Sequence, residues 1–165
     1  MTDTAIENKT GAEGIVWDLS PLYASADDPR IQQDMNRLRG EVEAWASQYR
    51  GRVASLDAPA ITDALRALEA LQDGLTRLGY FAHLTFATDT NNPAYGALLQ
   101  KLNEYNAEIQ QKLLFFELEW NALDDEAAGR VLDDPVLGKY RHFLEAERRY
   151  KPHKLSEIEE QLLVE

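Results

Sequence analysis

Residues 28–51 read DPRIQQDMNRLRGEVEAWASQYRG, and this stretch decides the fold class. Asp28 followed by Pro29 is a helix start: the carboxylate accepts from free backbone amides, and proline's fixed φ suits the first helical position. Ile31, Met35, Leu38, Val42, Trp45 and Tyr49 then follow at alternating steps of four and three residues, the spacing of one helix face. Gly51 stands where a helix ends in a left-handed residue. The same grammar repeats downstream. Asp57 and Pro59 open a second helix with a stripe of Ile61, Leu65, Leu68, Leu71, Leu75, Leu78, Ala82 and Phe86. Gly74 and Gly79 interrupt it, and close helix approach is the simplest compensation.

The run Thr88-Asp89-Thr90-Asn91-Asn92-Pro93 is a turn followed by another capped start. Tyr95, Leu98, Leu99, Leu102, Tyr105, Ile109, Leu113, Phe116 and Trp120 carry the third stripe, predicting the longest helix. A short helix is expected over 124–132 and another from Asp134-Pro135, with Val136, Leu137, Tyr140, Phe143 and Leu144 inward. Arg148, Arg149 and Lys151 fall at its C-terminus, where cations are favoured, and Pro152 closes it. Ser156 and Glu159 form a capping box for a last helix. No segment shows period-two alternation rich in β-branched residues. The fold class is therefore all-α, built from antiparallel helical hairpins as a bundle of about five to six helices, with no sheet.

Residues 1–14 are polar and glycine-containing, and read as a flexible tail. Residues 15–165 then form one helical domain. WDLSPLY, 17–23, is expected to dock as an irregular strap through Trp17, Leu19, Leu22 and Tyr23, since Ser20-Pro21 disfavours a continuous helix. The apolar stripe of Ile158, Leu162 and Leu163 is unfinished at the chain end, so the last helix reads as truncated.

Seventeen Lys and Arg against twenty-nine Asp and Glu give a net charge of −12, which repels phosphate backbones and argues against nucleic acid and anionic membrane surfaces. The chain has no cysteine, so disulfides and thiolate chemistry are excluded and no oxidising compartment is needed. Without a signal peptide pattern or a long apolar run, the chain reads as cytoplasmic.

His83, His142 and His153 have no histidine four residues away and no glutamate three residues before, so neither the His-Glu-x-x-His nor the Glu-x-x-His signature occurs. Glu117 and Glu119 sit among apolar neighbours in FFELEW, where a carboxylate pair could do acid-base work. About 200° apart on a helix, they are expected to point to different, partly solvated sides. Glu145, Glu147, Arg148 and Arg149 read as weak exposed ion pairs. The aromatics lie at core spacing, and no phosphate loop or nucleophile elbow is present. By chemistry alone the chain is a helical domain with no catalytic, cofactor-binding or metal residues.

WDLSPLY at 17–23, YFAHLTFATDT at 80–90, LLFFELEW at 113–120 and HKLSEIEEQLL at 153–163 occur in an order that resembles the N-terminal region of oligoendopeptidase F and its relatives. These are zinc metallopeptidases of the thimet oligopeptidase superfamily, and the likeness runs from about residue 15 to the end. It implies a parent enzyme that hydrolyses short peptides with zinc held by a His-Glu-x-x-His helix beyond this sequence. The N-terminal helices would form part of the wall or lid of the substrate channel. No catalytic or metal residue of the family maps onto this chain, so the chain alone is not expected to be an enzyme or to hold zinc.

The implied partners are the catalytic domain of the same parent and, in the full enzyme, short peptides. Self-association through an apolar face is expected of the isolated piece. Tyr80, His83 and Tyr105 are candidates to line the channel. The rival reading is a free-standing helical interaction module without enzymatic activity. A self-sufficient enzyme using Glu117 or Glu119 has no supporting constellation.

Overall fold

Each of the first three helices begins at the residue the sequence marks. Asp28 accepts from Arg30 N, Asp57 from Ala60 N and Asn92 from Ala94 N, with proline in the first turn each time. The computed structural model describes residues 17–163, so the expected flexible tail at 1–14 lies outside the described residues. The helices are α1 Pro29–Tyr49, α2 Ala58–Thr88, α3 Pro93–Leu113, α4 Phe115–Ala122, α5 Asp125–Leu132, α6 Tyr140–Arg149 and α7 Glu157–Leu163. Single 3-10 turns lie at Val53–Ser55, Pro135–Leu137 and Lys151–His153, and there is no strand among the described residues. The protein is all-α.

The six stripe residues of α1 are the six that it buries. α2 runs antiparallel beside it: Trp45 Nε1 donates to Ala64 O at 3.0 Å near one end, and Tyr23, just ahead of α1, meets Phe81 edge-on at 5.0 Å near the other. α3 returns parallel to α1. Tyr105 Oη donates to Met35 O at 2.9 Å, Arg39 pairs with Glu108 at 3.0 Å, and Lys112 pairs with Glu43 at 3.1 Å. These three helices bury the stripes against each other, and α4 to α6 close one end of the bundle.

Two expectations about length and packing need correction. α2, at 31 residues, is the longest helix, because the third stripe is divided at Leu114 into α3 and α4. Leu114 keeps helical φ and ψ, and Arg50 Nη2 reaches Lys112 O at 3.2 Å beside the break. An apolar period survives such a break because side-chain spacing does not register a change of axis direction. The strap at 17–23 docks as expected through Leu19, Leu22 and the buried Tyr23, whose hydroxyl donates to Asp34 at 2.8 Å, whereas Trp17 is 76% exposed. Burial and the hydrogen bond to Asp34 push the Tyr23 hydroxyl up to about 12.

Asp134-Pro135 opens only a 3-10 turn, ended by Gly138 at φ +50°, a conformation that favours glycine. As a result Leu137 and Leu144 face inward as expected, but Val136 and Phe143 remain 45% and 43% exposed.

The glycines of α2 separate two effects. A Cβ on Gly74 would lie 2.6 Å from Leu38 Cδ2, so α1 and α2 do approach closely there. Nothing lies within 4 Å of a Cβ on Gly79, and the close approach expected there is absent. Gly79→Ala should raise stability by about 0.5–1 kcal/mol through helix propensity. Gly74→Ala should lower it, since overpacking a buried leucine costs about 1–3 kcal/mol and outweighs the same gain. Urea unfolding of both variants checks the pair of signs; two shifts in the same direction would contradict the packing at Gly74.

Candidate functional site

α4 is the crossroads of the molecule, and its two glutamates go to different places. Glu119 turns toward the α1–α2 connection, where its carboxylate accepts from Gly51 N at 2.7 Å and Val53 N at 3.2 Å. It pins a loop. Glu117 turns the other way and pairs with the ammonium of Lys154.

Beside Glu117 lies a cleft of about 410 Å³ between α2, the α3–α4 junction and α6. Its walls are apolar, with Leu68, Phe116, Trp120 and Phe143 prominent, and Glu147 stands at its polar end. Burial, then hydrogen bonding to Glu117 and the charge of Glu117, push the Glu147 carboxyl up to about 7, and Lys154 only partly opposes this. Burial alone would push Lys154 down, but its bond to Glu117 and the surrounding carboxylates leave it raised. Two carboxyls and one ammonium thus share one site: Glu117 pairs with Lys154, and Glu147 faces Glu117 with its carboxyl held above the usual carboxylate range.

This arrangement is a clasp. Lys154 lies between the turn at Lys151–His153 and α7, so the clasp fixes the segment after α6 onto α4. Glu147 belongs to it rather than to the exposed ion pairs expected from the sequence, because the α4–α6 crossing faces it toward Glu117. Arg148 departs from that expectation too. Its guanidinium donates to Trp120 O and Leu123 O at 3.1 Å and also reaches Asp125, and Lys151 adds a bond to Leu123 O at 2.7 Å. These cations serve the carbonyls at the C-terminus of α4, where unpaired acceptors and the helix dipole favour positive charge.

The clasp makes stability depend on pH. The folded value of Glu147, about 7, lies above an unfolded glutamate near ~4.3, so its contribution is complete below the unfolded value and is lost as pH rises through the folded one. Glu147→Gln should therefore flatten the stability profile between about pH 4 and 7, removing a decline of roughly 1 kcal/mol once solvent screening is allowed for. Thermal unfolding at closely spaced pH values measures it; equal slopes for both proteins would count against the raised Glu147 carboxyl.

The three histidines stay apart. His83 lies on α2, His142 on α6 and His153 in the following turn, all exposed, and no group of three or more His, Cys, Asp or Glu that could hold a metal occurs among the described residues. The zinc implied by the resemblance does not fit the described residues of this chain. Of the channel candidates, Tyr105 is buried in the core against Met35, whereas Tyr80, 65% exposed, and His83 line a shallow groove of about 450 Å³ between α2 and α3. The capping box of α7 is formed, with Ser156 N donating to Glu159 at 2.9 Å. Beyond it Ile158, Leu162 and Leu163 are 73%, 66% and 72% exposed. No helix among the described residues is long and apolar enough to cross a membrane.

Comparison with known proteins adds three findings. A family model described as Oligopeptidase F, for the N-terminal part of the M3 peptidases, matches residues 119–165. Oligopeptidase PepF of Bacillus subtilis (strain 168) is 28% identical over 150 residues, which is 90% of this chain and 22% of PepF. A crystal structure from Chlamydophila abortus, designated a peptidase, superposes with a TM-score of 0.63 at 21% identity, covering 89% of this chain and 24% of that one, and shows the likeness of fold. The chain thus spans less than a quarter of the length of either relative.

Proposed function

We propose that this chain, which is similar in sequence and fold to the N-terminal region of the oligopeptidase F family, is a non-catalytic helical domain of a zinc-dependent oligoendopeptidase. Residues 15–165 act as the domain. It forms part of the wall or lid of a channel that admits short peptides, and the catalytic region of the same parent is its partner.

The observation that carries this reading is the similarity to PepF across 90% of the chain but only 22% of PepF. Two features of the chain support it. The partly buried Glu119 and Arg148 pin a loop and a helix end rather than converge on a reacting centre. The exposed apolar stripe of α7 is the kind of surface a monomer rarely presents to water, and packing on the catalytic region would cover it. The zinc and its chemistry belong to that region, and no step is assigned to residues of this chain. The reading includes a cytoplasmic parent, in keeping with the absence of cysteine.

The test is the reading frame that contains codon 165, followed by its expression. The reading expects a downstream His-Glu-x-x-His and chelator-sensitive cleavage of a quenched fluorescent peptide by the full product, with no cleavage by residues 1–165 alone. Cleavage by the 165-residue chain that survives chelation, or a frame lacking the motif, would overturn it.

A further inference from the structure

The segment from Trp17 to α1 folds over the end of α2. Leu22 N donates to Leu19 O at 2.9 Å and Asp28 N to Ser25 O at 3.1 Å, and these turns leave a recess of about 640 Å³ between the strap, the end of α2 and the start of α3. Trp17, Asp18, Asp27, Thr85 and Tyr95 are among the residues that line it.

The recess has a sign. Its charged side chains are Asp18 and Asp27, both acidic, and neither has a cationic partner among the described residues. Hydrogen bonding to Ser20 holds the Asp18 carboxyl below its ordinary value, and hydrogen bonding to Ser25 does the same for Asp27. Arg30 and Arg77 lie against the ring of Tyr23 but are committed to Asp28 and to the Pro21 and Leu22 carbonyls, and neither lines the recess. Thr85 and Thr88 stand in the last turn of α2, a 31-residue helix whose negative end carries no basic side chain. The positive end of α3 borders the recess at Ala94, but there Asn92 engages the Ala94 amide. The balance favours a cation.

A buried group points the same way. Thr85 is 6% exposed, and its Oγ1 has no hydrogen-bond partner among the described residues, not even the carbonyl one turn back that helical threonines commonly use. Such a hydroxyl lowers stability unless something bonds to it. At the rim, the Trp17 indole is 76% exposed and Tyr95 is half-buried. Aromatic faces of this kind attract cations and apolar bodies alike. Carboxylates, a hydroxyl and rings can all receive what an ammonium offers, which is positive charge and donors without acceptors.

We propose that the recess under the 17–27 strap binds a small primary amine with an apolar body, its ammonium compensating Asp18 and Asp27 and donating to the Thr85 hydroxyl, its body against Trp17. The volume is that of a site for a small organic molecule. This site goes beyond the peptidase reading and stands without it.

The probe is 2-phenylethylamine, charged at pH 7 as alkylammonium groups are, titrated into the 15N-labelled 165-residue chain while the indole N–H signals are followed. A saturable shift of the Trp17 signal is expected, with those of the buried Trp45 and Trp120 unmoved. The neutral 2-phenylethanol should bind about tenfold more weakly. Asp18→Asn and Asp27→Asn, both exposed substitutions, should each weaken the amine about threefold, the scale of an exposed ion pair. Thr85→Val should weaken it about fivefold, the worth of one hydrogen bond, while raising the melting temperature of the free chain by removing the unpartnered hydroxyl. No saturable shift, equal binding of the alcohol, amine binding unchanged in the double Asp18→Asn and Asp27→Asn variant, or a lower melting temperature for Thr85→Val would overturn the proposal.

Discussion

Trp120→Ala is expected to lower the unfolding free energy by about 3–5 kcal/mol, the largest loss of any single substitution considered. The indole is completely buried, and its Nε1 donates to Leu144 O at 3.0 Å, tying α4 to the middle of α6. Removing it deletes a large apolar volume at the floor of the α4–α6 cleft and takes the indole donor from the Leu144 carbonyl. Against the roughly 5–15 kcal/mol that holds a domain together, this loss brings the chain close to unfolding at ambient temperature. Trp120→Phe separates the two contributions. It restores most of the volume but not the donor, and should recover more than half of the loss. Urea unfolding followed by circular dichroism measures all three proteins; an alanine variant within 1 kcal/mol of the parent (roughly the scale of an ordinary surface change) would mean that the α4–α6 packing is wrong.

Arg148→Met is expected to cost about 2–4 kcal/mol, although arginine on a helix face usually matters little. Methionine keeps much of the apolar stem, so the loss reports the guanidinium. That group donates to the Trp120 and Leu123 carbonyls at 3.1 Å, and its centre lies 5.8 Å from the Trp120 ring. Its bond to Asp125 contributes little, because that carboxylate is almost fully exposed and solvated. Asp125→Asn should therefore be nearly silent in the same assay. If Asp125→Asn proved as damaging as Arg148→Met, the ion pair and not the carbonyl contacts would be the source.

The two predictions meet at one place. Trp120, Leu123, Leu144, Glu147 and Arg148 form the joint between the three-helix bundle and the segment carrying α7. The clasp of Glu117, Glu147 and Lys154 lies on the same joint.

The sequence by itself determined what local physics determines. Caps and prolines at Asp28-Pro29, Asp57 and Asn92-Pro93 set the helix starts, and four-and-three spacing named every residue that α1 buries. The order of four short motifs pointed to the oligopeptidase F family, whose model matches residues 119–165 and whose Bacillus subtilis PepF is similar in sequence over 150 residues. Tertiary structure decided what depends on neighbours distant in sequence. Glu117 and Glu147 are thirty residues apart, and only the α4–α6 crossing brings them together so that burial and Glu117 raise the Glu147 carboxyl. Glu119 could become a loop pin only once the chain had brought Gly51 and Val53 beside it. Gly74 and Gly79 look alike in sequence, but a side chain of α1 fills the space at the first and not at the second. Periodicity records which face of a helix is apolar; which partner that face meets, and which charges are thereby stripped of water, is settled by the packing of helices against one another.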